Sequence, residues 1–596
     1  MSRPSLSRDQ LAAVALGEKP ADLVIRGGRL VDVYSGLIRD ADVAIFGDRI
    51  AAVGDVSASI GPNTRYYDAQ GSHLVPGLID THLHLVGCQL NLPELSRLLV
   101  SRGTAAASAC FYEAGQVGGR AAIDWMLQQL PECDLRVFLS PFIACQRGLG
   151  PFGNLERISP DEFVDLVDHP ACVEIREWNV HLERLGDPTA TAMIERARQA
   201  NRIIAGHLEG MSGTELQASV AVGVSSDHEV VSAGEALDRI ALGVKVQIRE
   251  GSGARDFDRV IEAITVHGAD PRFFMFCTDG QEVQHTARGH IDAMVRRAIE
   301  VGVAPIDAIR VGSLNAAEYL RVDGDLGSIT PGRTAHINIV DDLGNFRIRD
   351  VIVGTERVVI DGEPVKRPAA PAAPASFTQT INLHRPLTAA DFEVAVPGLD
   401  GGARLRVIDV QAGVLVTQES ILTMPTAGGR VSAEPDRDVA KMAVIDRHQA
   451  SGRIGLGFTR GFGLRAGAIA STNSPALMNL MALGVSDSDM AIAANRAAEL
   501  GGGLVAVLDG EVLAEVALPL FGVLTEQPAE DVVEQMTCFE QVVRDELGSD
   551  CEGIVTLSGF VMMPVSIPGL KLCDRGLVSV KRDEIEPVPL FVGAAR

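Results

Sequence analysis

The sequence lacks several features that mark common classes of protein. No run of about 18 apolar residues suggests a membrane span, and the opening MSRPSLSRDQ lacks the apolar core of a signal peptide. No CxxC pair occurs, and the nine cysteines are scattered and odd in number. That pattern fits reduced thiols in a cytoplasm better than a disulfide framework. No basic cluster with interleaved aromatic residues occurs, and the net charge is −25, which argues against nucleic acid or an anionic membrane as the main partner.

The bulk composition is that of a large globular protein. The chain has 596 residues, of which 46% are hydrophobic and 22% are charged, so it can bury a large core. This length predicts about two to four domains. We expect a cytoplasmic protein and, given its size, a homodimer.

Two all-β pieces flank a long central block. Alternating apolar runs broken by Gly and Asp in ADLVIRGGRLVDVYSG and DADVAIFGDRIAAVGD are typical of β-hairpins, and a similar pattern returns at about 336–365. We therefore predict one small, β-sandwich-like domain built from residues 1–73 plus 326–366. A Pro/Ala linker at 367–376 then precedes a third region, 377–596, which mixes strand and helix patterns and predicts an extra C-terminal α/β domain.

In the central block, 74–325, strand patterns alternate with helical patterns. Eight strand-then-helix repeats within about 250 residues predict a TIM (β/α)8 barrel. The eight strand candidates are LVPGLIDTHLHL, TAAASACFYE, LRVFLSPFIA, CVEIREW, RIIAGHLEG, GVSSDHE, KVQIREGS and FFMFCTDG.

Residues of catalytic type stand at the ends of these strands, where barrel enzymes place their active sites. The first strand ends in His82 and His84, which alternation puts on one face as a possible start of a metal site. Seven of the eight strands end in this way, and the further residues at the tips are Glu113, Glu177, His207 with Glu209 close behind, Asp227, His228, Glu229, Arg249, Glu250 and Asp279.

This set suits a site for two divalent ions. A carboxylate can bridge two ions, neutral imidazoles suit Zn, Mn or Fe, and a further carboxylate, Asp279, can shuttle a proton. Other interpretations remain open, because the histidines could be core or surface residues and Asp279 could be a helix N-cap. Glu174 is a rival of Glu177 as the bridge, although its odd offset places it on the opposite strand face. Arg249 and Glu250 could contact substrate or form an ion pair that positions the loop.

The order of these residues resembles the amidohydrolase superfamily: HxH on strand one, a bridging group on strand four, His on five and six, and Asp on eight. Within it, GVSSDHE, KVQIREGSGAR, FCTD, GHIDAMVRRAIEVGV and DLGSITPGR are similar to motifs of bacterial adenine deaminases. So are IGLGFTRGFGLRAGAIAS, AANRAAELGGGLVAVLDGEVLAE and KLCDRGLVSV in the third region. The resemblance covers nearly the whole chain.

The resemblance implies a binuclear site for Mn, Fe or Zn that acts on a purine base. Attack of a metal-bound hydroxide on C6 would convert adenine and water into hypoxanthine and ammonia. Glu177 would bridge the ions, and Asp279, Glu113 and Glu250 would be the catalytic acid–base candidates, with Arg249 and Glu250 near the substrate. The implied metal ligands are His82, His84, Glu177, His207, His228 and Asp279.

Several positions depart from the family's usual pattern. A Glu is usual near Val86, a His at Tyr112, an Asp at Gly280, and histidines near Pro475 and Met478. These departures support an alternative function, a related amidohydrolase that cleaves a C–N or amide bond in another cyclic substrate. A non-catalytic scaffold or a metal-storage relative is a third hypothesis.

Overall fold

The structure is a computed structural model, and all of the following concerns the residues that it describes. These are 7–142, 157–184, 186–367, 371–396, 402–474, 477–562, 567–581 and 584–593. Within these ranges, none of the helices combines the length and the apolarity that a membrane crossing needs.

The chain begins with a helix, Arg8–Ala15, followed by the first strands of the small domain. The first strand (Leu23–Asp32) contains the Gly27–Gly28 pair, where its register with the second strand (Leu37–Phe46) shifts. Gly28 lies so close to Leu74 that an added Cβ would be 2.5 Å from the Leu74 side chain. Glycine at this position therefore lets the two neighbouring strands approach each other closely. The strands are β1 (Leu23–Asp32), β2 (Leu37–Phe46), β3 (Arg49–Gly54), β4 (Arg65–Asp68) and β5 (His73–Pro76).

The central block is a closed parallel barrel, as the alternation of patterns predicted. Two parallel sheets, one of three strands and one of five, are joined by parallel bridges between Leu139 and Cys172 and between Leu83 and Asp279. The second bridge brings the first and last strands together and closes the ring. The strands are β6 (Leu78–Leu83), β7 (Thr104–Ala109), β8 (Arg136–Leu139), β9 (Glu174–Trp178), β10 (Ile203–Gly206), β11 (Ser226–Asp227), β12 (Lys245–Arg249) and β13 (Phe274–Cys277).

Helices cover the outside of the barrel. The helix Pro160–Asp168 shows why these helices form. Ser159 and Glu162 make a capping box at its start, and its own side chains Phe163 and Leu166 are buried. The main helices are Leu92–Ser101, Tyr112–Gln128, Pro160–Asp168, Pro188–Gln199, Gly213–Ala221, Ala233–Ala241, Phe257–Thr265, Ile291–Glu300, Pro305–Gly312 and Leu314–Tyr319. Shorter ones are Leu85–Cys88, Val180–Arg184 and Val283–Arg288.

After the barrel the chain returns to the small domain. The returning strands are β14 (His336–Val340), β15 (Ile348–Val353), β16 (Glu356–Ile360) and β17 (Glu363–Pro364). β14 pairs with β5, so strands from both ends of the block form one nine-stranded sheet. Because β5 runs from His73 to Pro76, this sheet extends a few residues past the boundary expected at 73.

The C-terminal region is built on an eight-stranded sheet in the order β20-β19-β24-β23-β26-β25-β27-β28, with two smaller sheets beside it. A first helix, Ala375–Thr378, begins inside the expected linker; the others are Asp487–Glu499, Ala529–Asp545 and Ile554–Val561. The strands are β18 (Val394–Ala395), β19 (Ala403–Gln411), β20 (Val414–Met424), β21 (Thr426–Ala427), β22 (Arg430–Val431), β23 (Val439–Ile445), β24 (Ile454–Arg460), β25 (Ala468–Ser471), β26 (Leu480–Gly484), β27 (Gly503–Leu508), β28 (Glu511–Ala517), β29 (Gly569–Cys573), β30 (Gly576–Lys581) and β31 (Glu584–Pro587).

This region packs directly on the barrel. Arg97 of a barrel helix pairs with Glu530, 2.6 Å away on the helix Ala529–Asp545. His285 lies 3.2 Å from Glu540 on the same helix. The C-terminal region therefore covers the end of the barrel where the strand tips lie.

Candidate active site

The two histidines of the HxH pair meet at the mouth of the barrel. His82 lies in β6, which ends at Leu83, and His84 lies just beyond that end. The Nε2 atoms of the two histidines are 3.1 Å apart. Glu177 Oε1 lies 3.5 Å from His82 Nε2 and 3.2 Å from His84 Nε2. Asp279 Oδ1 lies 3.8 Å and 3.2 Å from the same two nitrogens. Residues from strands one, four and eight thus converge on one point.

Glu177 reaches this point because its backbone breaks the alternation of β9. The strand bulges opposite β10, where Ile204 pairs with Ile175 but Gly206 pairs with Trp178. Glu177 has a φ of 60°, a left-handed conformation that non-glycine residues rarely adopt. Residues held in such conformations cluster at functional sites.

The bulge corrects the expectation that Glu174 points to the opposite face. Glu174 is fully buried inside the barrel, where it accepts hydrogen bonds from Ser108 (2.6 Å) and Tyr319 (3.0 Å). Arg176 also points inward and donates to the carbonyls of Leu83 (3.1 Å) and Ser108 (2.8 Å). Glu174 and Glu177 therefore both face the interior, but only Glu177 lies at the mouth.

A second group of residues comes from strands five and six. His207 Nδ1 lies 3.7 Å from both Glu177 Oε2 and Glu229 Oε1. His228 Nε2 lies 3.1 Å from Glu229 Oε1, and the rings of His82 and His228 are 3.9 Å apart. Glu177 thus lies between the two groups, as a bridging ligand would.

Glu229 stands among the strand-tip residues noted in the sequence, but no role was predicted for it. It directly follows His228, and strict alternation would turn it away. β11 ends at Asp227, however, so the alternation does not extend to Glu229. Its place at a strand tip in GVSSDHE was the available signal.

Arg249 is fully buried beside these carboxylates. Its Nη1 donates to Glu229 Oε1 (2.6 Å) and Asp279 Oδ2 (3.2 Å), and its Nη2 donates to Asp256 Oδ2 (2.8 Å). Burial disfavours the ionised form of Glu229, but Arg249, together with His207 and His228, outweighs burial and holds its pKa well below the usual range. Arg249 is therefore placed to keep the carboxylates ionised and in position.

Asp279 also adopts a left-handed conformation, with a φ of 60°. Its backbone N–H donates to the His82 carbonyl (2.8 Å), and its carbonyl accepts from the His84 N–H (2.6 Å). Burial raises its pKa, but His84 and Arg249 outweigh burial and lower it, so the side chain is a carboxylate. The next helix is capped at Glu282, so Asp279 is not its N-cap.

The unsatisfied atoms of the cluster fit a metal site. Among the described residues, no hydrogen-bond partner exists for His82 Nδ1, His228 Nδ1 or either ring nitrogen of His207, although all are buried. Burial, reinforced by Arg176 and His228, lowers the pKa of His82 well below its usual value, so its imidazole is neutral as a ligand must be. Ligand atoms converge in four sets at this site: His82, His84 and Glu177; His82, His228 and Asp279; His207, His228 and Glu229; and His84, Cys110 and Glu113.

His84 has a sulfur partner behind it. Its Nδ1 lies 3.2 Å from Cys110 Sγ, while its Nε2 faces the cluster. Burial lowers the pKa of His84, but Cys110, Asp279 and Glu177 outweigh burial and raise it well above its usual value. Metal-binding histidines are commonly oriented through the ring nitrogen that does not bind the metal.

The cluster opens into a cavity between the barrel and the C-terminal region. The barrel contributes Val86, Tyr112 and Phe142 to its wall, and the C-terminal region contributes Leu415, Asn473, Thr556 and Ile567. The wall is mainly apolar and aromatic, which suits a flat ring. The C-terminal contributions could not be located from the sequence, since they depend on how the two regions dock.

Three of the departures from the family pattern meet at this cavity. Val86, Tyr112 and Gly280 all line it. Met478 is fully buried, and its carbonyl accepts a hydrogen bond from Arg447, outside the lining. Pro475 lies outside the described residues.

Glu113 and Glu250 do not line the cavity. Glu113 is buried behind the wall, where Oε1 accepts from the Val86 N–H at 2.9 Å. Glu250 Oε1 accepts from Arg297 at 3.0 Å. Glu113 lies beside His84 and Cys110 instead, and the ligand atoms of these three residues are within 4.8 Å of one another.

A closed parallel barrel with imidazoles and carboxylates at its strand tips defines a metal-dependent hydrolase of the amidohydrolase class. Residues 73–365 match the Amidohydrolase family, and residues 414–584 match the Adenine deaminase C-terminal domain.

Curated relatives match nearly end to end. The chain is 35% identical over 579 residues to the adenine deaminase of Moorella thermoacetica, covering 96% of each chain. It is 34% identical to that of Desulfatibacillum aliphaticivorans over 96% of this chain and 98% of the relative. Identity to that of Methylobacterium nodulans is 38% over the same shares, 96% and 98%. This chain belongs to the adenine deaminase family, as its motifs predicted.

Proposed function

We propose that this enzyme catalyses hydrolytic deamination of adenine, in which adenine and water give hypoxanthine and ammonia. The observation that carries the proposal is the convergence of four histidines with Glu177, Asp279 and Glu229 beneath an apolar cavity. The end-to-end similarity to proteins named adenine deaminase supports the choice of substrate.

We propose that two divalent ions, of Mn, Fe or Zn, occupy the cluster. His82 and His84, with Asp279 beside both, would hold one ion, and His207 and His228 would hold the other. The oxygens of Glu177 face both pairs of histidines. Such ions supply Lewis acidity that makes water a nucleophile near neutral pH. The carboxylates Glu177, Asp279 and Glu229 supply the negative charge that stabilises the bound cations.

Asp279 would carry the proton transfers. Its carboxylate faces the cavity 3.2 Å from His84 Nε2, and Arg249 holds its other oxygen. Because the low pKa keeps it ionised, Asp279 can accept a proton from the attacking water and then donate it to the departing amine. Leu415 and Ile567 line the cavity with apolar surface, which disfavours competing water.

The test is ammonia release from adenine by purified protein supplied in turn with Mn, Fe and Zn, with metal content measured on the same samples. We expect turnover and up to two ions per chain. The Asp279→Asn variant should bind adenine but lose at least about a hundredfold in kcat, the low end of general acid–base contributions. No turnover with any of the three metals would contradict the proposal.

The second candidate is hydrolysis of a C–N or amide bond in another cyclic substrate. Its support is the meeting of Val86, Tyr112 and Gly280 at the cavity wall. A panel of purines, pterins, lactams and hydantoins separates the candidates. Activity confined to aminopurines would reject the second one.

We further propose a reducing, cytoplasmic setting and a homodimer. All eight cysteines in the described part of the chain are free thiols, as expected where disulfides do not persist. Light scattering during size-exclusion chromatography tests the dimer, and a mass near 63.2 kDa would contradict it.

A further inference from the structure

We propose that Asn473 selects free purine bases, because its side-chain carbonyl accepts a hydrogen bond from the ring N–H of the base. Bases substituted at that nitrogen, such as nucleosides, would be rejected. This inference rests on the proposed deamination of adenine and adds a specificity-determining residue from the C-terminal region.

The orientation of the Asn473 amide follows from its partner. Its Nδ2 lies 2.8 Å from the carbonyl oxygen of Val86, 387 residues earlier in the chain. A backbone carbonyl only accepts hydrogen bonds, so the NH₂ end of the amide must face Val86. Asn473 Oδ1 is then the group left to face the cavity, which Asn473 lines.

The acceptor is held in place and has no competing donor. The Asn473 backbone N–H donates to Ser471 Oγ at 3.0 Å, and only 5% of the residue is exposed. Val86, its anchor, is itself held by the bond from its N–H to Glu113. Among the described residues, none donates to Asn473 Oδ1. A ligand is therefore the partner that would satisfy this oxygen.

The chemistry of adenine leaves one donor for this acceptor. Hydrolysis requires C6 and its amine to lie against Asp279 and the ligand cluster. The remaining donor of the free base is the N–H of its five-membered ring. The other polar side chain that the C-terminal region brings to the wall, Thr556, already donates its hydroxyl to Glu282 at 2.6 Å. Asn473 Oδ1 is thus the group positioned to accept a hydrogen bond from the ring N–H.

A substrate without this N–H leaves a nearly buried oxygen unpaired. Sites built to hydrogen-bond a substrate group discriminate strongly against analogues that lack it. The side chains of Val86 and Leu415, which also line the cavity, carry no N–H or O–H that could replace it. Methylation of the ring nitrogen should therefore weaken binding even though C6 is unchanged.

The experiment compares adenine with 9-methyladenine in wild type, in Asn473→Leu and in a control, Asn495→Leu. Asn495 lies in the same region, and its side chain bonds the backbone of Leu387. We expect wild type to prefer adenine by at least about tenfold in kcat/KM, a loss of about tenfold for adenine in Asn473→Leu, mainly in KM, and a preference reduced toward one. The control should match wild type.

A measurement on wild type alone covers the case in which Asn473→Leu fails to fold. Hypoxanthine should inhibit at least about tenfold more strongly than 9-methylhypoxanthine. Equal inhibition, or an unchanged preference in a folded Asn473→Leu protein that retains its metal, would overturn the inference. Absence of ammonia release from adenine by wild type would instead overturn the proposed function, and the inference would fall with it.

Discussion

Arg249 donates to Glu229 across 2.6 Å inside the barrel, and its second and third contacts are Asp279 and Asp256. Arg249→Met should leave the buried carboxylates Glu229 and Asp279 without their guanidinium partner and Asp256 with Arg259 alone. We expect a loss of about 3 kcal/mol or more in the free energy of unfolding, measured by denaturant titration.

The matched control for Arg249 is Arg259→Met. Arg259 bonds the other oxygen of Asp256 at 2.7 Å but is 51% exposed. Its loss should cost at most about 1 kcal/mol. If the two variants were equally stable, Arg249 would not be the group that balances the buried carboxylates.

Cys110 should orient His84 for metal binding. Cys110→Ala removes the sulfur that lies 3.2 Å from His84 Nδ1, and we expect metal affinity to fall about 10- to 100-fold. Cys110→Ser keeps a hydrogen-bonding atom and should retain most of the affinity. Cys172→Ala, another buried cysteine whose thiol contacts the Glu174 carbonyl, should leave metal binding unchanged. Equal metal titrations for the Ala and Ser variants of Cys110 would argue against this role.

Substitutions of Glu177 and Glu174 should have different effects, the first on metal binding and the second on stability. Glu177→Gln should lose metal, since its two oxygens face both histidine groups. Glu174→Gln should keep its metal but cost about 1–3 kcal/mol in unfolding free energy, because it weakens buried hydrogen bonds to Ser108 and Tyr319. Metal analysis and denaturation of both variants test this split. Loss of metal from the Glu174 variant alone would reverse the assignment.

The contact between His285 and Glu540 should make stability depend on pH. Burial opposes protonation of His285, but Glu540 and Glu282 outweigh it and raise its pKa above 6.5, against a smaller opposing effect of Arg255. A raised histidine pKa means that the stabilisation is fully present below about pH 6.5 and is lost as pH rises through the folded-state value. Arg288 also lies 3.8 Å from Glu540.

We therefore expect His285→Gln to lower the free energy of unfolding by on the order of 1 kcal/mol more at about pH 6 than at about pH 9. Exposed His267→Gln is the control and should show no such difference. A cost of His285→Gln that is the same at both pH values would exclude the ion pair as its cause.

The sequence by itself determined the barrel and most of the candidate site. Eight apolar runs alternate with amphipathic helices, and a parallel barrel brings the carboxyl ends of such strands to one face. His82, His84, His207, His228 and Asp279 could be named because each stands at the end of a buried strand or within two residues of it. Their roles as ligands stay predictions until metal is measured.

Only the tertiary structure decided the rest, because the deciding contacts are not local. The inward turn of Glu177 comes from a bulge set by pairing with the next strand, which the alternation rule cannot show. Glu250 stands at a strand tip, yet Arg297 holds it away from the cavity. Asn473 reaches Val86 across 387 residues, a contact created by the docking of the C-terminal region on the barrel. Periodicity reports which face of an element is buried, whereas docking decides which buried groups meet.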